Sequence, residues 1–84
     1  MSFVDPSTKL TESELDQEKE RARMRMVVSR KLAVGAVEMT AIRIYSQAHQ
    51  GLLRCRTEDQ ILRIETAFTE AMASLQRFAD AGAL

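Results

Sequence analysis

Between Val27 and Ala48 the chain is apolar on two sides of a helix at once, so this stretch needs two neighbours to cover it. Val27, Val34, Val37, Ala41, Ile44 and Ala48 recur in alternating steps of three and four residues, interrupted once by Arg30, which is the spacing of a heptad-type seam. Val28, Leu32, Gly35, Met39 and Ile42 repeat with the same steps, roughly 150° further around a helix that turns about 100° per residue. A helix lying on a core has one such face, whereas two faces suit a helix packed between partners.

Signals on either side of this stretch predict two helices. Thr11-Glu12-Ser13-Glu14 has the form of a capping box, and Glu12, Glu14, Asp16 and Glu18 put negative charge at the positive end of a helix starting there. No proline follows, so the spacing predicts one long helix from about Glu12 to His49, roughly 57 Å at about 1.5 Å per residue. Gly35 lies in the second seam, where a missing side chain favours close approach by another backbone; a kink there is the alternative. Gln50-Gly51 reads as a glycine stop, with Gly51 at the left-handed C-cap position.

Thr57-Glu58-Asp59-Gln60 is a second capping box, opening a helix over about 58–80 that Gly82 closes. Its seam is Ile61, Ile64, Phe68, Ala71, Leu75 and Phe78, widened by Leu62, Ala67, Met72 and Ala79. The predicted architecture is therefore all-α. An arm over 1–11 leads into an antiparallel hairpin of one long and one shorter helix, joined by a connection over 50–57 and completed by oligomerisation or docking. Counted outward from the connection, Asp80 falls near Val27, which leaves Glu12 to Met26 projecting as an overhang. The same count sets Arg43 opposite Glu65 as an ion pair, and Arg30, in a closed bundle, needs a carboxylate.

Length supports the need for a partner, because a chain of 84 residues folding alone buries only about 60 to 65% of its unfolded surface. Twelve basic and twelve acidic side chains cancel, so no overall field draws the chain to nucleic acid or to an anionic membrane. The most apolar window, Leu32 to Ile44, carries Glu38 and Arg43 and falls short of the roughly 20 apolar residues of a membrane span. The N-terminal residues do not read as an export signal, and one cysteine, Cys55, excludes an intramolecular disulfide. The expected setting is the cytoplasm or a particle assembled there, with no membrane insertion.

Chemistry has little to build on. His49, Tyr45 and Cys55 are each single, and a Cys-His pair formed at the hairpin end would lack an orienting third group. No CxxC, HExxH or EF-hand loop is present, so neither a metal nor a cofactor is expected and the chain is not read as an enzyme. Two surfaces remain. The first is a protein interface of Val28, Leu32, Gly35, Met39 and Ile42, joined by Met24 and Met26 on the overhang. It fits a structural or adaptor subunit of a homo-oligomer or larger assembly, such as a phage particle or secretion machine, or a small chaperone. The second is the basic run Lys19, Arg21, Arg23, Arg25, Arg30 and Lys31, which makes a nucleic-acid-binding regulator the alternative. Against it stand the acidic residues just upstream, the absence of aromatics within the run, and the i to i+3 and i+4 spacings of Asp16–Lys19, Gln17–Arg21 and Glu20–Arg23.

Overall fold

A computed structural model describes residues 10–82. The predicted arm over 1–11 therefore lies outside the described residues except for its last two positions. Those described are all-helical: α1 (Glu12–Leu32), a short 3-10 turn (Gly35–Val37) running directly into α2 (Glu38–Leu53), and α3 (Glu58–Asp80). All three helices touch one another, in a body measuring 48 × 21 × 17 Å.

The first capping box forms as the sequence predicts. The Thr11 hydroxyl accepts from the Glu14 backbone N–H at 3.2 Å, and the Thr11 N–H donates to Glu14 Oε1 at 3.1 Å. The second box is one-sided. Thr57 Oγ1 accepts from the Gln60 N–H at 3.1 Å, but the Gln60 side chain reaches one residue further back and takes the Arg56 N–H at 2.6 Å. Gly82, at φ +71°, closes α3.

The single long helix is not observed. Ala33 (φ −83°, ψ 112°) and Val34 (φ −127°, ψ 164°) are extended, and Gly35 takes φ +74°, a left-handed value that L side chains disfavour. Gly35 thus turns the chain instead of admitting a neighbouring backbone: nothing lies within 4 Å of where its Cβ would stand. The physical reason for the break is what α1 gains by folding back. Leu15, Ala22 and Met26 enter a shared core with Leu52, Cys55, Ile61 and Phe68, and burial of each large member is worth about 1.5–3 kcal/mol. A straight helix would have left that face of α1 in water.

The predicted overhang is accordingly absent. The start of α1 lies against the α2–α3 junction, where the Leu10 N–H donates to the Arg56 carbonyl at 3.4 Å and Lys19 Nζ donates to the Leu53 carbonyl at 3.0 Å. Hence α1 runs antiparallel to α2 and α2 antiparallel to α3. Three helices stand where a two-helix hairpin was expected, and they cover Val37, Ala41, Ile44 and Ala48 of the first seam while Val28, Leu32 and Met39 of the second stay exposed.

Gly51 also departs from its predicted role. It lies inside α2, which continues to Leu53, and a Cβ there would stand 2.7 Å from Ile64 Cδ1. The two glycines have exchanged functions: Gly51 permits close approach, and Gly35 provides the left-handed turn. Along α3, Ile61, Phe68 and Leu75 follow at seven-residue steps, with Leu75 forming a second core cluster with Val37 and Ala41.

Candidate protein-interaction surface

The residues predicted as a protein interface divide into two groups. Val28 is 59% exposed, Leu32 78% and Met39 64%; Gly35 is also exposed, and Ile42 is half-buried. They no longer form one stripe, because a stripe needs unbroken helical phase and the turn at Ala33–Gly35 separates Val28 and Leu32 on α1 from Met39 and Ile42 on α2. Met24 is exposed. Met26 is a correction: at 2% exposure it is one of the most buried side chains, because α1 folds back and turns Met26 into the core.

One further exposed apolar residue adjoins this group in sequence. Val34, expected inside the first seam, is 71% exposed because it sits in the extended turn and not on a helix. Leu32 and Ala33 line a groove between α1 and α3 together with Ser29, Met72, Ala73 and Gln76. The exposed set near the turn is thus Val28, Leu32, Val34 and Met39. The sequence signal for Val34 was the Val34-Gly35 pair, a β-branched residue followed by glycine and poor in helix propensity at both positions. Leu53 on α2 and Leu62 and Phe78 on α3 are also exposed.

Most of the basic run is engaged within the chain. Arg21 pairs with Glu18, and Arg23 holds Glu20 through two hydrogen bonds of 3.0 and 2.6 Å. Arg25 crosses to α3 and grips Glu65 at 2.9 and 2.5 Å, which takes the carboxylate that the hairpin count had assigned to Arg43. Arg30 needs no carboxylate, since its guanidinium lies 5.6 Å from the centre of the Tyr45 ring. Lys19 caps the Leu53 carbonyl, and Lys31 has no ion-pair partner among the described residues.

The electrostatics follow these contacts. Hydrogen bonding from Arg23 holds the Glu20 carboxyl below the ordinary carboxylate range, and the bonds from Thr11 do the same for Glu14. The bond to Glu65 raises the already high Arg25 value, as Glu20 and then Tyr45 do for Arg23. Burial pushes the Cys55 thiol up. Its Sγ donates to the Gly51 carbonyl at 3.4 Å, while His49 stacks on Tyr45 with ring centres 5.9 Å apart. The Cys-His pair considered from sequence is therefore not formed.

Among the described residues no group of three or more His, Cys, Asp or Glu side chains is placed to hold a metal ion, and no helix is long and apolar enough to cross a membrane. Comparison of the chain with protein-family models, with curated proteins and with solved structures gives no match. Its functional reading rests on its own surface.

Proposed function

We propose that this chain is a non-enzymatic structural or adaptor subunit that mediates helix–helix protein assembly through Val28, Leu32, Val34 and Met39. One observation carries the reading: four large aliphatic or thioether side chains stand more than half exposed around a single turn. Scattered exposed apolar residues are ordinary on a soluble protein, but a concentration at one place marks an interaction site. Elsewhere two core clusters are bridged by Ile44 and Met72, and no buried side-chain polar atom is left unpaired among the described residues, which suits a scaffold more than a catalyst.

Nucleic-acid binding is the weaker reading, because Arg21, Arg23 and Arg25 would each have to leave a carboxylate before meeting a phosphate. Replacing Leu32 and Met39 by glutamate tests the favoured function. The double variant should keep its helical circular dichroism and lose assembly, whereas undiminished assembly places the interface elsewhere.

A further inference from the structure

The two ends of the bundle differ. Val28, Leu32, Val34, Met39 and Phe78 are five of the eight large apolar side chains exposed among the described residues, and all five lie within about a turn of the end that holds the α1–α2 turn. Phe78 belongs to this end because Ala33, just after α1, and Ala79, near the close of α3, pack on the same cluster of Val37, Ala41 and Leu75.

Charge divides along the same axis. The four ion pairs among the described residues, Arg21–Glu18, Arg23–Glu20, Arg25–Glu65 and Arg63–Asp59, involve nothing after Arg25 on α1 or after Glu65 on α3. The segments at the turn end, Val28 to Arg43 and Ser74 to Gly82, hold four cations, Arg30, Lys31, Arg43 and Arg77, against two carboxylates, Glu38 and Asp80. Arg30 lies over Tyr45, Arg77 donates to Ser74 Oγ and Asp80 accepts from Gln76. Lys31, Arg43 and Arg77 are exposed, one on each helix, and none forms an ion pair among the described residues. The apolar end therefore carries an excess of positive charge that nothing within the chain neutralises.

We propose that this end takes an amphipathic helix of another protein whose apolar stripe is flanked by carboxylates. The proposal deepens the assembly reading by naming the partner, and it rests on that reading. The stripe covers Leu32, Val34, Met39 and their neighbours, and because each helix contributes one exposed cation, carboxylates on both flanks of the stripe meet one. A second copy brings the same cation excess to the contact, so like charge opposes self-pairing. A nucleic acid answers the cations with phosphate and leaves the apolar side chains in water.

The test selects partners from a displayed library of helical peptides, about 20 residues long, with leucine fixed at heptad positions and the flanking positions randomised. The full-length chain should enrich Asp and Glu at the flanks. Lys31→Glu with Arg43→Glu should weaken a selected peptide by about tenfold or more, and changing the flanking acids of that peptide to Lys should restore binding to this variant. Circular dichroism confirms that the variants remain helical, and recovery by the Lys peptide separates lost charge matching from lost folding.

Leu32→Ser with Met39→Ser distinguishes the two levels of the reading. Selected peptides that this variant loses, but that show no acidic enrichment or ignore the charge reversal, overturn the acidic partner and leave assembly through the exposed residues standing. Peptides indifferent to both variants, or a library that yields no binder, overturn both. A dimer of the isolated chain that the serine variant abolishes makes a second copy the occupant and overturns this inference alone. Sedimentation with phosphatidylglycerol-containing vesicles, lost in the serine variant, makes the occupant a lipid surface and overturns both.

Discussion

The Cδ1 methyl of Ile64 lies 2.7 Å from the point where a Cβ on Gly51 would stand, so α2 and α3 are spaced by a glycine against an isoleucine tip. Two effects oppose each other at this position. Alanine in a helix interior is favoured over glycine by about 1 kcal/mol, and the clash falls on the movable end of a side chain. Gly51→Ala alone should therefore change stability by less than about 1 kcal/mol. Ile64→Val removes the atom that clashes, so Gly51→Ala should be more favourable in that background than alone. Urea unfolding of the four chains of this double-mutant cycle measures the coupling, and additive effects would show that the approach is not limiting. Gly51→Leu overfills the same contact and should cost about 1–3 kcal/mol.

Met26 separates the folded-back α1 from a projecting one. As a core residue it should cost about 2–5 kcal/mol when truncated to alanine, whereas an exposed interface methionine would cost the isolated chain little. Denaturant unfolding at a concentration where the chain is monomeric distinguishes the two. A change below about 0.5 kcal/mol would remove Met26 from the core.

Acid should loosen the first turns of α1. The Glu14 and Glu20 carboxyls are held below the ordinary value of 4.5 in the folded chain by Thr11 and Arg23. A depressed carboxylate contributes stability above its unfolded value and loses that contribution as pH falls through the folded one. The loss therefore begins near pH 4.5 and grows below it. Amide exchange across Glu12–Arg23, compared at neutral and acid pH, should show opening in this segment before α3. Thr11→Ala should remove much of the difference at Glu14.

Cys55 should react slowly with iodoacetamide while the chain is folded, because burial raises the thiol and its Sγ is occupied by the Gly51 carbonyl. Alkylation should rise in step with unfolding as urea is added. Rapid labelling without denaturant would mean that the α2–α3 junction opens locally.

The readability of this fold from sequence differs from element to element. Both threonine caps and the extent of α3 were legible because capping and heptad spacing are local properties, and Ile61, Phe68 and Leu75 are buried as their spacing predicts, but Phe78 and Leu62, counted in or beside that seam, are exposed. The break at Ala33–Gly35 was not, because one glycine in a stretch free of proline is compatible with either a continuous helix or a turn. What decides it is the burial of Leu15, Ala22 and Met26 against residues from Leu52 onward, a long-range contact absent from any local window. The roles of Gly35 and Gly51 were exchanged for the same cause. Of the candidate interface, Val28, Leu32 and Met39 were readable from their place in a surplus seam, while Val34 and the burial of Met26 depended on the turn.

The basic run is tested by salt. A chain that neutralised several phosphates should bind DNA or RNA at low ionic strength and lose affinity steeply as salt rises. With Arg21, Arg23 and Arg25 each paired to a carboxylate, no such binding is expected in fluorescence anisotropy with short single- and double-stranded oligonucleotides. Tight, salt-sensitive binding would move the function to this face.

The central claim is that the exposed residues around Ala33–Gly35 serve assembly. Its most direct measurement is the mass of the protein by native mass spectrometry over a concentration series of a helical peptide with an apolar stripe flanked by carboxylates, run beside the Leu32→Glu, Met39→Glu variant. The account predicts a mass rising from one chain to a discrete complex with the peptide as concentration increases, with the variant remaining at one chain and fully helical. A wild-type mass fixed at one chain throughout, or a variant that associates as the wild type does, would contradict it.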